Sequence, residues 1–297
     1  MRSLNILIHV RDNFLDFIFG VNRNQVLNSA NGTFLKKANK PDLAGELKRA
    51  LDEIKAQSID EQGSRVDYAR LRASAVYKEF RRECSPKLRE FDPGSLDDRD
   101  EKLAFWINLY NALVLDAVIA FGVQHSVTEG WLGALAFFRK AAYNVGRERL
   151  SLDDIEHGIL RRNRGHPFVP GPQFAGNNRR RDWVISPPDV RIHFALNCAS
   201  RSCPPIQVYS GKQIDMQLEA AAGNFVNQTT SVNQVERKLR ISAIFRWYGG
   251  DFGGNEGVID FILAHLQEGE RRSWVANNES RLRLVYDPYD WSLNTFS

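Results

Sequence analysis

Cysteine is scarce in this chain. Its 297 residues include only Cys84, Cys198 and Cys203. An odd, sparse set excludes a disulfide framework and fits a reducing compartment or a single optional bridge. A chain of about 300 residues buries roughly 75% of the surface it exposes when unfolded, so its core needs no staples. Excess charge is also small. Lys plus Arg is 40 and Asp plus Glu is 36, which leaves +4. That is too little to point to nucleic acid. No repeat period or heptad run occurs, and neither a Walker A loop nor a dinucleotide fingerprint is present. The glycine-rich GGDFGG at 249–254 lacks the Lys-Ser/Thr ending and reads as a turn. A secretory signal is missing too. The apolar run Leu4 to Val10 is broken by Asn5 and His9 and closed by Arg11 and Asp12. This segment reads as a short strand or helix packing on the body, and cytoplasm is the default compartment.

Hydrophobic residues are 43% of the chain and aromatics 11%, which excludes wholesale disorder. The most apolar stretch, Leu103 to Val123, is long enough to span a bilayer. It carries Asn108, Asn111 and Asp116, and a central aspartate costs about 2.5–3.5 kcal/mol on insertion scales. A buried core helix is the better reading, with no membrane span. Residues 1–40 read as a loosely ordered extension, polar and Asn-rich over 21–40, and 41–297 as a single domain. Helices are expected from Asp42 to about Gln57 behind Pro41, from about Tyr68 to Phe91, and from Ser95–Asp98 to Gly122. Further helices are expected over 213–227, 242–248 and 256–267. Strands are expected at Tyr143–Arg147, Trp183–Ile185, Val190–Asn197, Lys238–Ile241 and Arg281–Tyr286. The class is α+β: a helix-rich domain with a buried central helix and a small, mostly antiparallel sheet.

Chemistry concentrates in residues 189–206, DVRIHFALNCASRSCPPI. On an extended strand His193 and Cys198 would face opposite ways, about 17 Å apart. Pairing them requires a turn at Asn197 or Cys198, and the following Ala-Ser-Arg-Ser-Cys-Pro-Pro has turn chemistry. A thiol in such a turn, near Arg201, can be activated; the plainer reading is a small buried hydrophobe. A second cluster, Ile155-Glu156-His157-Gly158, lies in an N-capped helix that opens at Ser151–Asp154. There His157 faces solvent or a cleft and Glu156 points about 100° away. A cysteine nucleophile needs a base and an orienting group. The candidates are His193 or His157 as base and Glu156, Asn111 or Asp290 as orienter. Asn108 and Asn111 share a helix face, and the plainer reading is that they tie the helix to neighbouring backbone. A zinc site from His157, His193, Cys198 and Cys203 has no standard spacing, so no metal and no cofactor is expected. Residues 158–181 hold six arginines and no acid and read as a solvated surface loop with little stacking surface for nucleic acid.

Five blocks together resemble one family, domain-of-unknown-function family 547. They are LAFWINLYNAL at 103–113, IEHGILR at 155–161, RIHFALNCASRSCPPIQVY at 191–209, AIFRWYGGDF at 243–252 and YDWSLN at 289–294. The resemblance covers about residues 66–295 and implies no particular activity. Plant members often read Ser-Ser-Pro where this chain has Ser202-Cys203-Pro204, so the resemblance favours Cys198 as the special thiol. HFALNC is also similar to the histidine strand of papain-like and transglutaminase-like proteins, which implies a distant relationship to those folds. In them the nucleophilic cysteine opens a buried helix; LAFWINLYNAL has no cysteine. The expected function is a thiol-dependent hydrolase or acyltransferase acting on a small molecule or peptide, with Cys198, His193, His157, Glu156 and Asn111 at its site. The rival is a non-catalytic module that binds a protein partner and whose Cys/His motif is structural.

Overall fold

The computed structural model describes residues 2–29, 42–96, 98–129 and 133–296. Pro41 and most of the polar 21–40 stretch lie outside them. The chain opens with helix α1 (Arg2–Phe19), then α2 (Leu43–Ser58), whose Asp42 side chain caps the Gly45 N–H. Leu43, Leu47, Leu51 and Ile54 form a buried i, i+4 stripe on α2. The single helix expected over 68–91 is instead broken into α3 (Tyr68–Ala73), α4 (Ala75–Glu79), a π-helical turn (Phe80–Cys84) and α5 (Ser85–Lys87). Ser74 causes the first break. It takes an extended backbone, and its Oγ accepts the Tyr77 N–H to start a new helix. Pro86 contributes to the second, because it brings no N–H to the ladder.

Helix α6 (Arg99–Phe121) is the centre of the fold. Asp98 caps its start and Gly122, at φ 66°, ends it. Every residue from Leu103 to Ile119 is buried. A helix long and apolar enough to cross a membrane is therefore inside the body. Its polar groups are satisfied there. Asp116 accepts from Tyr77 Oη at 2.6 Å, Arg81 at 2.6 Å and Tyr143 Oη at 2.8 Å. Asn108 pairs with the Tyr209 backbone through both ends of its amide, and Asn111 bonds the Ala195 carbonyl and the Asn197 N–H.

Helix α7 (Gly133–Lys140), which the sequence pattern did not suggest, leads into an antiparallel hairpin, β1 (Ala142–Val145) and β2 (Glu148–Ser151). Its two-residue turn, Gly146-Arg147, has positive φ at both positions, as a twisted hairpin demands. A π-helical segment, Asp154–Leu160, follows. The strands expected at 183–185 and 190–197 do not form. Residues Arg179–Trp183 and Val190–Phe194 are 3₁₀ helices. Asp189 explains the second: its carboxylate accepts the Arg191 N–H and also clamps the Arg191 guanidinium, closing a tight turn where the apolar alternation suggested extension.

The remaining elements form a second layer. They are α8 (Ile214–Thr229), β3 (Ser231–Asn233), β4 (Lys238–Ile241), α9 (Ala243–Trp247), α10 (Gly254–His265), α11 (Glu270–Asn278) and β5 (Arg283–Tyr286). Strand β4 pairs antiparallel with β3 and parallel with β5. Among the described residues the strands thus form two small sheets rather than one, within the helix-rich α+β fold expected. Phe194, Phe225, Phe245 and Ile262 centre a second apolar cluster beside the one around α6. The 3₁₀ segment carrying His193 lies between the two clusters.

Candidate functional site

A cavity of about 160 Å³ opens where the two layers meet. Glu156, His157, His193, Cys198 and Cys203 all line it. The chain turns directly after Cys198, which brings His193 and Cys198 to one wall. Asn197 makes that turn: its side chain accepts the Ala199 N–H and donates to the Pro204 carbonyl. Ala199 sits at φ 63°, a left-handed conformation that costs a non-glycine residue about 1 kcal/mol. Asn111 does not line the cavity. Its bonds to Ala195 and Asn197 fasten the backbone on which Cys198 is mounted.

Cys198 and Cys203 form a disulfide, so neither sulfur is a free thiol in this state. This is the single bridge that three cysteines allow. The Tyr289 hydroxyl lies 3.1 Å from each sulfur, and Ser200 Oγ lies 3.2 Å from Cys198 Sγ. Cys84 is buried elsewhere, and its thiol is pushed up to about 12 by that burial.

The three histidines differ in which nitrogen is free. His193 places Nε2 at 2.9 Å from Asp251 Oδ2. A carboxylate only accepts, so Nε2 carries the proton and Nδ1 keeps its lone pair. Nδ1 has no hydrogen-bond partner among the described residues. Tyr248 stacks on this ring at 4.0 Å. Burial lowers the His193 pKa, and the bond to Asp251 opposes that. His157 is the reverse case. Arg161 Nη1 lies 3.0 Å from its Nδ1, and a guanidinium can only donate. Nε2 therefore holds the proton, and His157 presents an N–H donor to the cavity. Burial and then the nearby His166 and Arg161 charges hold its pKa well below the usual range. His166 likewise receives the Phe168 N–H on Nδ1 at 3.1 Å, and burial takes its pKa to about 4.

Carboxylates complete the site. Glu156 accepts from Tyr110 Oη at 3.1 Å and Tyr248 Oη at 2.5 Å, and is thereby held rigidly. Asp251 receives Arg161 through two nitrogens at 2.6 and 3.0 Å, and Arg164 at 2.7 Å. Burial alone would raise its pKa, but the His193 and Arg161 hydrogen bonds hold it far below the carboxylate range. Asp153 accepts no hydrogen bond among the described residues. Burial raises its pKa to about 8 despite the Arg139 charge, with Asp154 and Glu156 adding to the rise.

One trio has a spacing that a metal ion could bridge. Ligand atoms of Asp153, His157 and His166 lie within 4.8 Å of one another. Their donor chemistry does not fit a cation. A metal-bound imidazole donates its other N–H outward. Here both Nδ1 atoms already accept N–H groups, so both Nε2 atoms carry protons. The trio reads as two N–H donors beside an acid.

Asp251 is the main residue that the sequence reading missed, because GGDFGG reads as a turn. It is a turn, and it also delivers the carboxylate. Arg161 was read as part of a solvated loop; it is buried between His157 and Asp251. Gln173, Phe174 and Ala175 of that loop are buried as well, so its second half packs against the body. Asp290 is exposed and bonds the Ser202 and Ser292 region, away from both histidines.

Residues 93–226 match the model of a family described as "Protein of unknown function, DUF547". No curated protein and no solved structure matches the chain. The matched stretch contains Asn111, Glu156, His157, His193 and both bridged cysteines. Asp251 and Tyr289, in two of the five resembling blocks, lie beyond it. Residues 93–226 are thus similar to the DUF547 family, the same family that the five sequence blocks resemble.

Proposed function

We propose that the cavity is the site of a thiol-dependent acyl transfer, hydrolase or acyltransferase in type, latent while the Cys198–Cys203 disulfide is closed. The observation that carries this reading is the shared wall: Cys198, His193 and His157 border one cavity. A dithiol reductant opens the bridge to two thiols and leaves as its own disulfide. His193 Nδ1, its ring held by Asp251, takes the Cys198 proton. The thiolate adds to an acyl carbonyl, and the leaving group departs with that proton. Water or a second nucleophile, deprotonated by His193, then releases the acyl group. His157 Nε2–H serves as a neutral donor for the developing oxyanion. Asn111 positions the cysteine backbone, and Tyr110 and Tyr248 hold Glu156 at the cavity wall.

The test is turnover of p-nitrophenyl esters with and without dithiothreitol. Activity should appear on reduction, vanish in Cys198→Ser and fall at least tenfold in His193→Gln. Turnover that needs no reductant, or survives Cys198→Ser, sinks the proposal. The bridge itself favours the second reading, a structural motif in a binding module. In that case reduction costs stability and yields no turnover with any acyl ester.

A further inference from the structure

Helix α1 is docked the wrong way round for a soluble surface helix. Several of its polar side chains face the body, while Ser3, His9 and Asn13 are exposed. Asn5 accepts the Gly176 N–H, Arg11 donates to the Pro170 and Pro172 carbonyls, and Asp16 pairs with Arg139 at 2.6 Å. Of its large apolar residues, Ile8 and Phe19 are buried against the body. The opposite arc carries Leu4, Ile6, Leu7, Val10, Phe14 and Phe17, which are 52–85% exposed. At 100° per residue Ile6, Phe17, Val10, Phe14 and Leu7 fall within about 100° of the cylinder, with Ser3 among them and Leu4 beyond Arg11 at the edge, along a helix about 27 Å long. Scattered exposed hydrophobics need no explanation, but a contiguous stripe does.

Cations flank the stripe. Both acids of α1, Asp12 and Asp16, lie toward the body and are paired with arginines. The rim is cationic at each end. Arg181 approaches Gly176, which is tied to Asn5 in the first turns; Lys140 Nζ lies beside Gly20, just past the last turn. Arg162 and Arg179 add exposed cations on the acid-free loop packed against α1, and no acidic partner holds them among the described residues.

We propose that this face of α1 docks on an anionic lipid surface, lying in the plane of the interface. The apolar arc enters the headgroup–acyl boundary, while Lys140, Arg181 and the loop arginines meet lipid phosphates. A convex, uncharged apolar cylinder between cations suits a bilayer better than a second copy, which would bring the same cations together.

The experiment is co-sedimentation of the full chain with vesicles of phosphatidylcholine plus phosphatidylglycerol, against pure phosphatidylcholine. Binding to the anionic vesicles is expected, weakened by salt. It should fall at least about tenfold in Phe14→Glu/Phe17→Glu and less steeply in Lys140→Glu/Arg181→Glu. The mutated side chains are exposed, so circular dichroism should stay unchanged. Absence of binding to anionic vesicles overturns the proposal, as does binding that the double Phe variant leaves intact. A concentration-dependent dimer that the same variant abolishes, without vesicle binding, makes the occupant a second copy instead.

Discussion

Replacing Asp153 with asparagine should change how stability depends on pH. Asp153 is 6% exposed, its carboxyl accepts no hydrogen bond among the described residues, and it has Asp154 and Glu156 for neighbours. Its folded pKa of about 8 stands against roughly 3.9 in an unfolded chain. Below about pH 4 both states hold the proton, and the group contributes nothing. Between about pH 4 and 8 the unfolded chain ionises and the folded one does not, so stability is progressively lost. Each pH unit costs roughly 1.4 kcal/mol, and the whole interval about 6 kcal/mol. An asparagine at this position cannot ionise. Whatever its amide costs in hydrogen bonding is constant with pH, so only the slope reports the carboxyl. His157 and His166 have lowered folded pKa values and oppose folding at acid pH, but they do so in both proteins. The assay is urea unfolding followed by tryptophan fluorescence, at several pH values between about 4.5 and 8.5. Asp153→Asn should gain on the wild type steadily as pH rises. Parallel curves would mean that Asp153 is ionised in the fold, and would refute the burial argument.

Other consequences follow from single contacts. Asp116→Ala removes the acceptor shared by Tyr77, Arg81 and Tyr143, and should cost about 3–5 kcal/mol in chemical denaturation; a loss under about 1 kcal/mol would contradict the buried network. Gly158→Ala would drive a methyl group into the Phe174 ring, and about 1–3 kcal/mol of destabilisation is expected by thermal melting. In mass-resolved alkylation of the native protein, Cys84 should stay unlabelled with or without reductant, while Cys198 and Cys203 label only after reduction. Asp251→Asn withdraws the charge that Arg161 and Arg164 share and should destabilise the fold by several kcal/mol in the same denaturation assay.

Local rules were enough wherever the sequence pattern and the fold depend on the same few residues. The 103–119 run read better as a core helix than as a span, since its amides and Asp116 need partners that lipid lacks, and Asp98 and Gly122 mark its ends. Strand β4 and helices α8 and α10 were legible from periodicity in the same way. The bridge was legible only as a possibility, because three cysteines permit one pair without naming it. What the tertiary structure decided was set by long-range contacts. The alternation in Val190–Asn197 signalled a strand, yet Asp189 closed a 3₁₀ turn there, and the Asn197 turn at Cys198 brings His193 and Cys198 to one wall. His193 and Asp251 lie 58 residues apart, so no local spacing could have paired them. The roles of the histidines came last. Whether each ring donates or accepts depends on what reaches its other nitrogen, and Arg161, Phe168 and Asp251 reach those nitrogens only in the folded chain.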